Sequence, residues 1–159
     1  MKKMMFTVFL IAGIQFTHAH TLKLKISLSP AGSFEAENGK LRGTVKVEGE
    51  KYSAAELWLK VDDFKTGIDL RDEHFKKHLG LEKTPKITMK NISAENGTGT
   101  GTLSVNGVEK SVQFTYKKET EKKLRAEFKV KNSDFKLPSA NYMGVGVEDE
   151  VHVETVIDL

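Results

Sequence analysis

The chain has 159 residues and no cysteine, and its 25 Lys and Arg residues against 22 Asp and Glu residues give a formal net charge of +3. This small net charge argues against a nucleic-acid partner, because nucleic-acid binding depends on clustered Lys and Arg. Without cysteine there are no disulfides and no thiol-linked lipid, so packing alone must stabilise the fold.

The first nineteen residues have the pattern of a secretory signal peptide. Lys2 and Lys3 form a short basic start, Met4–Phe16 is an apolar run, and Thr17-His18-Ala19 offers small residues at the usual cleavage position. A permanent membrane span would need about twenty apolar residues. We therefore expect residues 1–19 to be removed, and residues 20–159 to form one domain in the periplasm or outside the cell.

Apolar residues alternate with polar or charged residues through most of the remaining chain. This period of two is typical of β-strands that have one apolar face and one polar face. The clearest alternating runs are Leu22–Leu28, Leu57–Val61, Ile87–Met89, Val112–Tyr116, Leu124–Val130 and Val151–Ile157.

Three Asn-Gly pairs separate alternating runs and predict tight hairpin turns. They are Asn38-Gly39, Asn96-Gly97 and Asn106-Gly107. The first pair would join a strand over Phe34–Glu37 to a strand over Lys40–Glu48. About eight strands with hairpin connections and a single apolar face each need closure or a second sheet. We therefore predict an all-β fold, an antiparallel barrel with a short helical insertion.

One segment, about Leu70 to Leu79, has a helical pattern, and Gly80 is a plausible stop. His74 and His78 lie four residues apart on one face of this helix, a spacing that can bind zinc. Zinc peptidases also need a Glu after the first His, where Phe75 stands, and the lysines between the histidines would repel a cation. We predict no metal site and no other cofactor.

The same helix begins with Arg71 and Asp72, neighbouring residues of opposite charge. A guanidinium and a carboxylate can form paired hydrogen bonds. We expect these two residues to pair in a partly buried structural corner and not to contact a ligand.

Gly97, Gly99 and Gly101 would share the apolar face of their strand with Leu103 and Val105. Three missing side chains leave space inside a barrel, which is either a cavity or is filled by an aromatic ring from across it. A strand glycine often marks a bend, and we favour a barrel corner here.

No Gly-x-Ser-x-Gly nucleophile motif is present, and the carboxylates are scattered among lysines, so we predict that the protein is not an enzyme. An apolar lumen needs no motif, since an eight-stranded barrel can enclose one small ligand. From alternation alone, the candidate ligand-lining residues are Val45, Val47, Phe114, Tyr116 and Phe128.

In their order, these motifs resemble the YceI-like family of secreted bacterial proteins. The family has a strand that is followed by Thr-Gly, Arg-Asp-x-His and Pro-x-Ile motifs. The matching segments here are, in the same order, Leu57–Val61, Thr66-Gly67, Arg71–His74 and Pro85–Met89. Later family segments resemble Gly101–Val112, Ser133–Phe135 and Asp149–Val151. The resemblance implies an eight-stranded antiparallel lipocalin-like barrel. It also implies a carrier whose lumen holds a long apolar or amphiphilic, isoprenoid-like molecule.

Two alternatives remain at this point. A filled barrel without a ligand could act as a structural or interaction module, using Trp58 on the charged face of its strand. An outer-membrane barrel is disfavoured, because aromatic belts are missing and Gly99 and Gly101 would present bare backbone to lipid. We therefore expect a protein that is not embedded in a membrane, and a homodimer stays open.

Overall fold

The computed structural model describes residues 20–142 and 144–159. The predicted signal peptide over residues 1–19 lies outside the described residues. The strands are β1 (His20–Ser29), β2 (Ser33–Gly43), β3 (Lys46–Glu48), β4 (Lys51–Lys60), β5 (Lys86–Glu95), β6 (Thr98–Val105), β7 (Val108–Thr120), β8 (Lys123–Lys131), β9 (Asn141–Tyr142) and β10 (Val145–Asp158). Helix α1 (Asp69–His78) connects β4 to β5, and 3₁₀ turns occupy Val61–Asp63 and Asn132–Phe135.

Within the described chain, eight strands form a closed antiparallel ring in the order β1-β2-β4-β5-β6-β7-β8-β10, and β10 pairs back with β1. The short strands β3 and β9 lie beside β4 and β10. Closure gives every long strand two neighbours, although β2 meets β4 at only two residue pairs. The predicted eight-stranded antiparallel barrel with one helix is confirmed.

Alternation places apolar side chains inside the barrel and charged ones outside. On β1, Ile26 is buried while Lys23 points outward and forms an ion pair with Glu37 at 2.8 Å. On the neighbouring pair of strands, Lys129 of β8 pairs with Glu150 of β10 at 2.7 Å. The outer face therefore carries cross-strand charge pairs, and the apolar face lines the interior.

Two of the three predicted Asn-Gly hairpins are confirmed. Asn96-Gly97 joins β5 to β6, and Asn106-Gly107 joins β6 to β7. All four of these residues have positive φ, between 51° and 83°. Such angles at both central positions are those of the type I′ turn, which Asn and Gly adopt at low cost.

The hairpin predicted at Asn38-Gly39 is wrong, because β2 runs without interruption through this pair. The register between β1 and β2 shifts here, so the extra backbone forms a bulge. Asn38 is fully buried, and its side chain donates to the Lys60 carbonyl at 2.9 Å and accepts from the Lys40 amide at 2.9 Å. Among the described residues β2 and β4 pair directly only at Arg42–Trp58 and Gly43–Leu57, and the Asn38 side chain supplies one contact across the rest of this seam.

The glycines of β6 leave room that neighbouring side chains fill. A Cβ placed on Gly99 would overlap the Phe114 ring of the paired strand β7 and lie 2.8 Å from Ala94 Cβ, while one on Gly101 would lie 2.6 Å from Met89 Cε. The space is therefore not a cavity, and the barrel corner stays a prediction. Phe114 and Met89 close this part of the interior.

The barrel is thus packed at one end. Tyr52 and Tyr116 meet edge to face there, with ring centroids 5.4 Å apart. Leu124, Ala126 and Ile157 are buried at the same level of the barrel. The opposite end, which helix α1 covers, is organised differently.

Candidate ligand-binding site

A cavity of about 1220 Å³ occupies the half of the barrel beneath α1. Its strand walls are formed by aliphatic and aromatic side chains of β1, β2, β4, β5, β6, β8 and β10. They are Leu22, Leu24, Ile26, Leu28, Phe34, Leu59, Ile87, Leu103, Val105, Phe128, Val130, Val147, Val151 and Val153. Small-molecule sites usually measure about 300–1,000 Å³, so this cavity is large enough for an extended molecule.

The walls follow directly from strand periodicity. On β1 every second residue from Leu22 to Leu28 faces the cavity, while Lys25 between them is exposed. On β8 the wall residues are Phe128 and Val130, again two apart. Because successive side chains point to opposite faces of a sheet, a plain alternating sequence is sufficient to build an apolar wall.

Helix α1 forms one side of the cavity, and Phe75 attaches it to the barrel. The Phe75 ring packs edge to face against Phe64 at 5.5 Å and Phe34 at 6.2 Å between centroids. The helix matches its predicted position to within one residue, and Gly80, at φ 80°, follows its end. Residues three, four and seven apart share a helix face, and Arg71, His74 and His78 accordingly all line the cavity.

Thr66 is the centre of the corner that precedes α1. Asp72 Oδ1 accepts hydrogen bonds from the Thr66 amide and the Thr66 hydroxyl, both at 2.6 Å. Arg71 Nη2 donates to the Thr66 carbonyl at 2.6 Å. The Thr66 hydrogen bonds stabilise the charged carboxylate and lower the pKa of Asp72, and Lys65 Nζ, 3.5 Å from Oδ2, acts in the same direction.

The predicted pairing of Arg71 with Asp72 is wrong for the described residues, because no ion pair or hydrogen bond joins the two side chains. Consecutive helical residues point about 100° apart, so the two side chains reach different atoms. Each instead binds a different group of Thr66. The corner exists, but a threonine connects its charged residues.

The cavity wall also contains polar groups without partners. Arg71 Nε and His78 Nε2 are buried, and neither has a hydrogen-bond partner among the described residues. The Arg71 guanidinium lies over the Phe34 ring, 4.7 Å from its centroid. Burial lowers the pKa of His78, so its imidazole is neutral at neutral pH.

The cavity opens beside the start of α1. Ile68 is 54% exposed and Leu70 62% exposed, and both belong to the cavity lining together with Val145 of β10. These are three of the four large apolar side chains that are exposed in the described chain. The mouth therefore has an apolar rim.

The structure places the five candidate lining residues at different depths. Phe128 lies in the cavity wall. Phe114 covers Gly99 and Tyr116 packs on Tyr52, both in the filled end, while Val45 packs against the core and Val47 is 49% exposed. Alternation identifies the face of a strand but not the level of a residue along the barrel axis.

A smaller depression of about 620 Å³ lies near the point where β7 and β8 cease to pair, and Phe114 and Phe128 are among the residues that line it.

The sequence contained one signal for the wall residues that alternation missed. The spacing of Arg71, His74 and His78 puts them on one face of α1, yet nothing in the sequence shows that this face turns toward the lumen.

Trp58 lies on the outside of the barrel. The Arg42 guanidinium is 5.3 Å from its ring centroid and the Lys86 ammonium is 4.5 Å from it.

Over residues 20–142 and 144–159, no group of three or more His, Asp or Glu side chains is arranged to hold a metal ion. None of the helices in these residues has the length and apolar character that crossing a membrane requires.

Comparison with known proteins identifies one family. The model of the YceI-like domain matches residues 12–159 of the chain. No curated protein matches this chain.

Solved structures share the fold at low sequence identity. A polyisoprenoid binding domain from Saccharophagus degradans, implicated in plant cell wall breakdown, is 14% identical, with a TM-score of 0.61 over 89% of this chain and 97% of that one. The Campylobacter jejuni YCEI protein is 21% identical, with a TM-score of 0.56 over 78% of this chain and 81% of that one. A mutant of the Campylobacter protein matches at 18% identity and a TM-score of 0.59 over 100% and 96%.

Proposed function

This chain belongs to the YceI-like domain family, and on that premise we propose that it binds a long apolar or amphiphilic molecule, such as a polyisoprenoid, inside its barrel. The protein would act as a carrier or scavenger in the periplasm or outside the cell. The proposal assigns it binding and no catalysis.

The observation that carries this proposal is the apolar cavity of about 1220 Å³. A barrel that served only as a structural or interaction module would gain stability from filling this space. Protein interiors normally pack as densely as organic crystals, with few voids larger than a water molecule. An unfilled lumen of this size, walled by Leu, Ile, Val and Phe, therefore supports a ligand role.

The energetics of apolar burial are sufficient for useful affinity. Each methylene removed from water contributes about 0.8 kcal/mol. Ten would contribute roughly 8 kcal/mol, of which the loss of translational and rotational freedom removes a large part. Longer chains that fill more of the cavity would bind more tightly, so a long molecule suits this cavity better than a short one.

The extracytoplasmic location is part of the proposal and rests on the pattern of residues 1–19. Lys2 and Lys3 followed by the apolar run of Met4–Phe16 are typical of a secretory signal. The polyisoprenoid binding of the Saccharophagus domain supports the choice of ligand class.

Native mass spectrometry of the protein, purified from the cells that produce it without lipid stripping, tests this function. We expect a reproducible added mass of a few hundred daltons or more that organic solvent releases. A bare protein mass, together with no uptake of added isoprenoid or fatty amphiphiles, would support the alternative of a barrel without a ligand. Trp58 and the outer surface would then become the candidate contact region.

A further inference from the structure

The large apolar side chains that the described chain exposes are concentrated at the mouth of the cavity. Ile68 is 54% exposed, Leu70 62% and Val145 41%, and all three belong to the cavity lining. They come from two separate elements, since Ile68 and Leu70 lie at the start of α1 and Val145 begins β10. We call these three residues the mouth rim.

The fourth exposed residue of this kind, Val47, lies elsewhere. It is 49% exposed on β3, where it pairs with Tyr52 of the packed end. Exposed apolar groups that cluster beside polar residues mark sites of interaction with a partner, whereas a single exposed apolar residue is normal. The mouth rim is therefore a candidate contact surface, and Val47 is an isolated residue for comparison.

The strip of α1 beside the mouth rim is basic. The residues four and seven positions after Leu70 lie on the same side of the helix. They are His74 and Lys77, which are both exposed and both line the cavity. No ion pair of the described residues includes Lys77. Asp69 and Glu73 are also exposed on α1, but neither belongs to the cavity lining. The mouth thus combines apolar side chains with a cation that no carboxylate pairs with.

This arrangement suits a fluid partner better than a folded one. A stable protein interface buries about 800 Å² on each side around a densely packed centre. The mouth rim instead borders the opening of a cavity of about 1220 Å³, which a rigid partner would leave unfilled. The acyl chains of a bilayer can surround protruding apolar side chains and continue the apolar interior of the lumen.

We propose that the mouth rim is a docking surface for a lipid bilayer that contains anionic phospholipid. The apolar side chains of the rim enter the interface between head groups and acyl chains, and Lys77 contacts the anionic head groups. Only side chains enter, so the association is weak and reversible and the barrel stays outside the bilayer. This inference goes beyond the proposed function, because docking does not require a ligand in the lumen.

Sedimentation of residues 20–159 with sucrose-loaded vesicles tests the docking. The probes are phosphatidylcholine vesicles with and without phosphatidylglycerol, and no isoprenoid is added. We expect the wild type to bind the vesicles with phosphatidylglycerol about fivefold more strongly than those without it. Lys77→Gln should remove most of this gain, because it removes the unpaired cation of the mouth.

Three substitutions localise the apolar contact, and a fourth is the matched control. Ile68→Ser, Leu70→Ser and Val145→Ser should each weaken vesicle binding at least about threefold. Val47→Ser makes the same kind of change at an exposed residue away from the mouth, and it should leave vesicle binding unchanged. Val145 does not lie on α1, so Val145→Ser remains informative if the other two disturb the helix.

Each contrary result has a definite meaning. Wild-type protein that binds neither kind of vesicle, or mouth-rim variants that bind as well as Val47→Ser, would overturn the docking surface. A wild-type dimer in analytical ultracentrifugation that Leu70→Ser dissociates, without vesicle binding, would show that a second copy of the chain covers the rim. Isoprenoid binding in solution by a protein that binds no vesicles would leave the carrier function intact.

Discussion

At the residue scale, the hydrogen bonds of Thr66 position the basic side of the cavity, which is the face of α1 that carries Arg71, His74 and His78. The Asp72 carboxylate accepts from the amide and hydroxyl of Thr66, and Arg71 donates to its carbonyl. The three hydrogen bonds connect the start of α1 to the loop after β4. They therefore orient the face of α1 that carries Arg71 toward the lumen.

The lowered pKa of Asp72 makes this corner sensitive to acid. A carboxyl with a depressed folded-state pKa contributes its full stability above the unfolded pKa of about 3.9. That contribution is lost as the pH falls below this value and through the folded-state pKa, because the unfolded chain takes up the proton first. The Tm of the wild type should therefore exceed that of Asp72→Asn at about pH 6, and the difference should shrink below about pH 3.9.

Thermal unfolding followed by circular dichroism from about pH 6 down to about pH 2 measures this difference. Asp69→Asn is a suitable control, because Asp69 is an exposed carboxylate in the same first turn of α1. A Tm gap between wild type and Asp72→Asn that stays constant over this pH range would contradict the assigned role of the Thr66 hydrogen bonds.

At the scale of elements, the glycines of β6 explain why only one end of the barrel is filled. Gly99 lies opposite Phe114 in the register of β6 and β7, and the ring occupies the space that a side chain at position 99 would take. Beyond this level β6 continues with Leu103 and Val105, whose side chains border the cavity. The change from glycine to branched residues along one strand marks the boundary between the packed end and the open end.

Gly99→Ala should therefore destabilise the protein. The new methyl group would overlap the Phe114 ring and Ala94 Cβ, and overpacking of this kind costs typically about 1–3 kcal/mol. Chemical denaturation gives the free energy of unfolding. Gly39→Ala is the matched control, since a Cβ at Gly39 meets no atom within 4 Å and its effect should be small.

A second substitution separates overpacking from other effects of the alanine. Phe114→Leu should recover part of the stability that Gly99→Ala loses, and the double-mutant cycle measures this coupling. If Gly99→Ala is no more destabilising than Gly39→Ala, the ring does not fill the end of the barrel in the way described.

The sequence predicted most of the elements and fewer of the contacts. Alternation and the turns at Asn96-Gly97 and Asn106-Gly107 predicted an antiparallel barrel of about eight strands, because strand period and turn chemistry are local properties. The count of eight came from the family resemblance. Asn38-Gly39 has the same local chemistry, but its amide reaches the Lys60 carbonyl across a seam. Only the pairing of β2 with β4 makes this contact available.

The candidate site was less accessible to sequence reasoning for a similar reason. Phe114 and Phe128 have the same residue type and the same inward face, yet Phe114 covers Gly99 and Phe128 borders the cavity. Their difference depends on which residues stand opposite them in neighbouring strands. The basic side of the cavity depends in turn on how α1 packs through Phe75, which is a tertiary contact.

At the scale of the whole molecule, the barrel divides into a packed end and an open end. The packed end contains the Tyr52–Tyr116 contact and buried residues of β8 and β10. The open end combines an apolar wall, the basic face of α1 and an exposed apolar rim at Ile68 and Leu70.

The measurement that tests the central claim most directly is the affinity of residues 20–159 for a series of isoprenoid alcohols of increasing length. The Kd should decrease with each added unit until the cavity is full and then level off, because each buried methylene adds up to about 0.8 kcal/mol. Val130→Trp places a bulky ring in the cavity and should raise the Kd of the longer alcohols at least about tenfold. Lys25→Trp places the same ring on the outer face of β1 and should leave the Kd unchanged. A Kd that is independent of chain length, or equal in Val130→Trp and Lys25→Trp, would contradict a ligand inside the barrel.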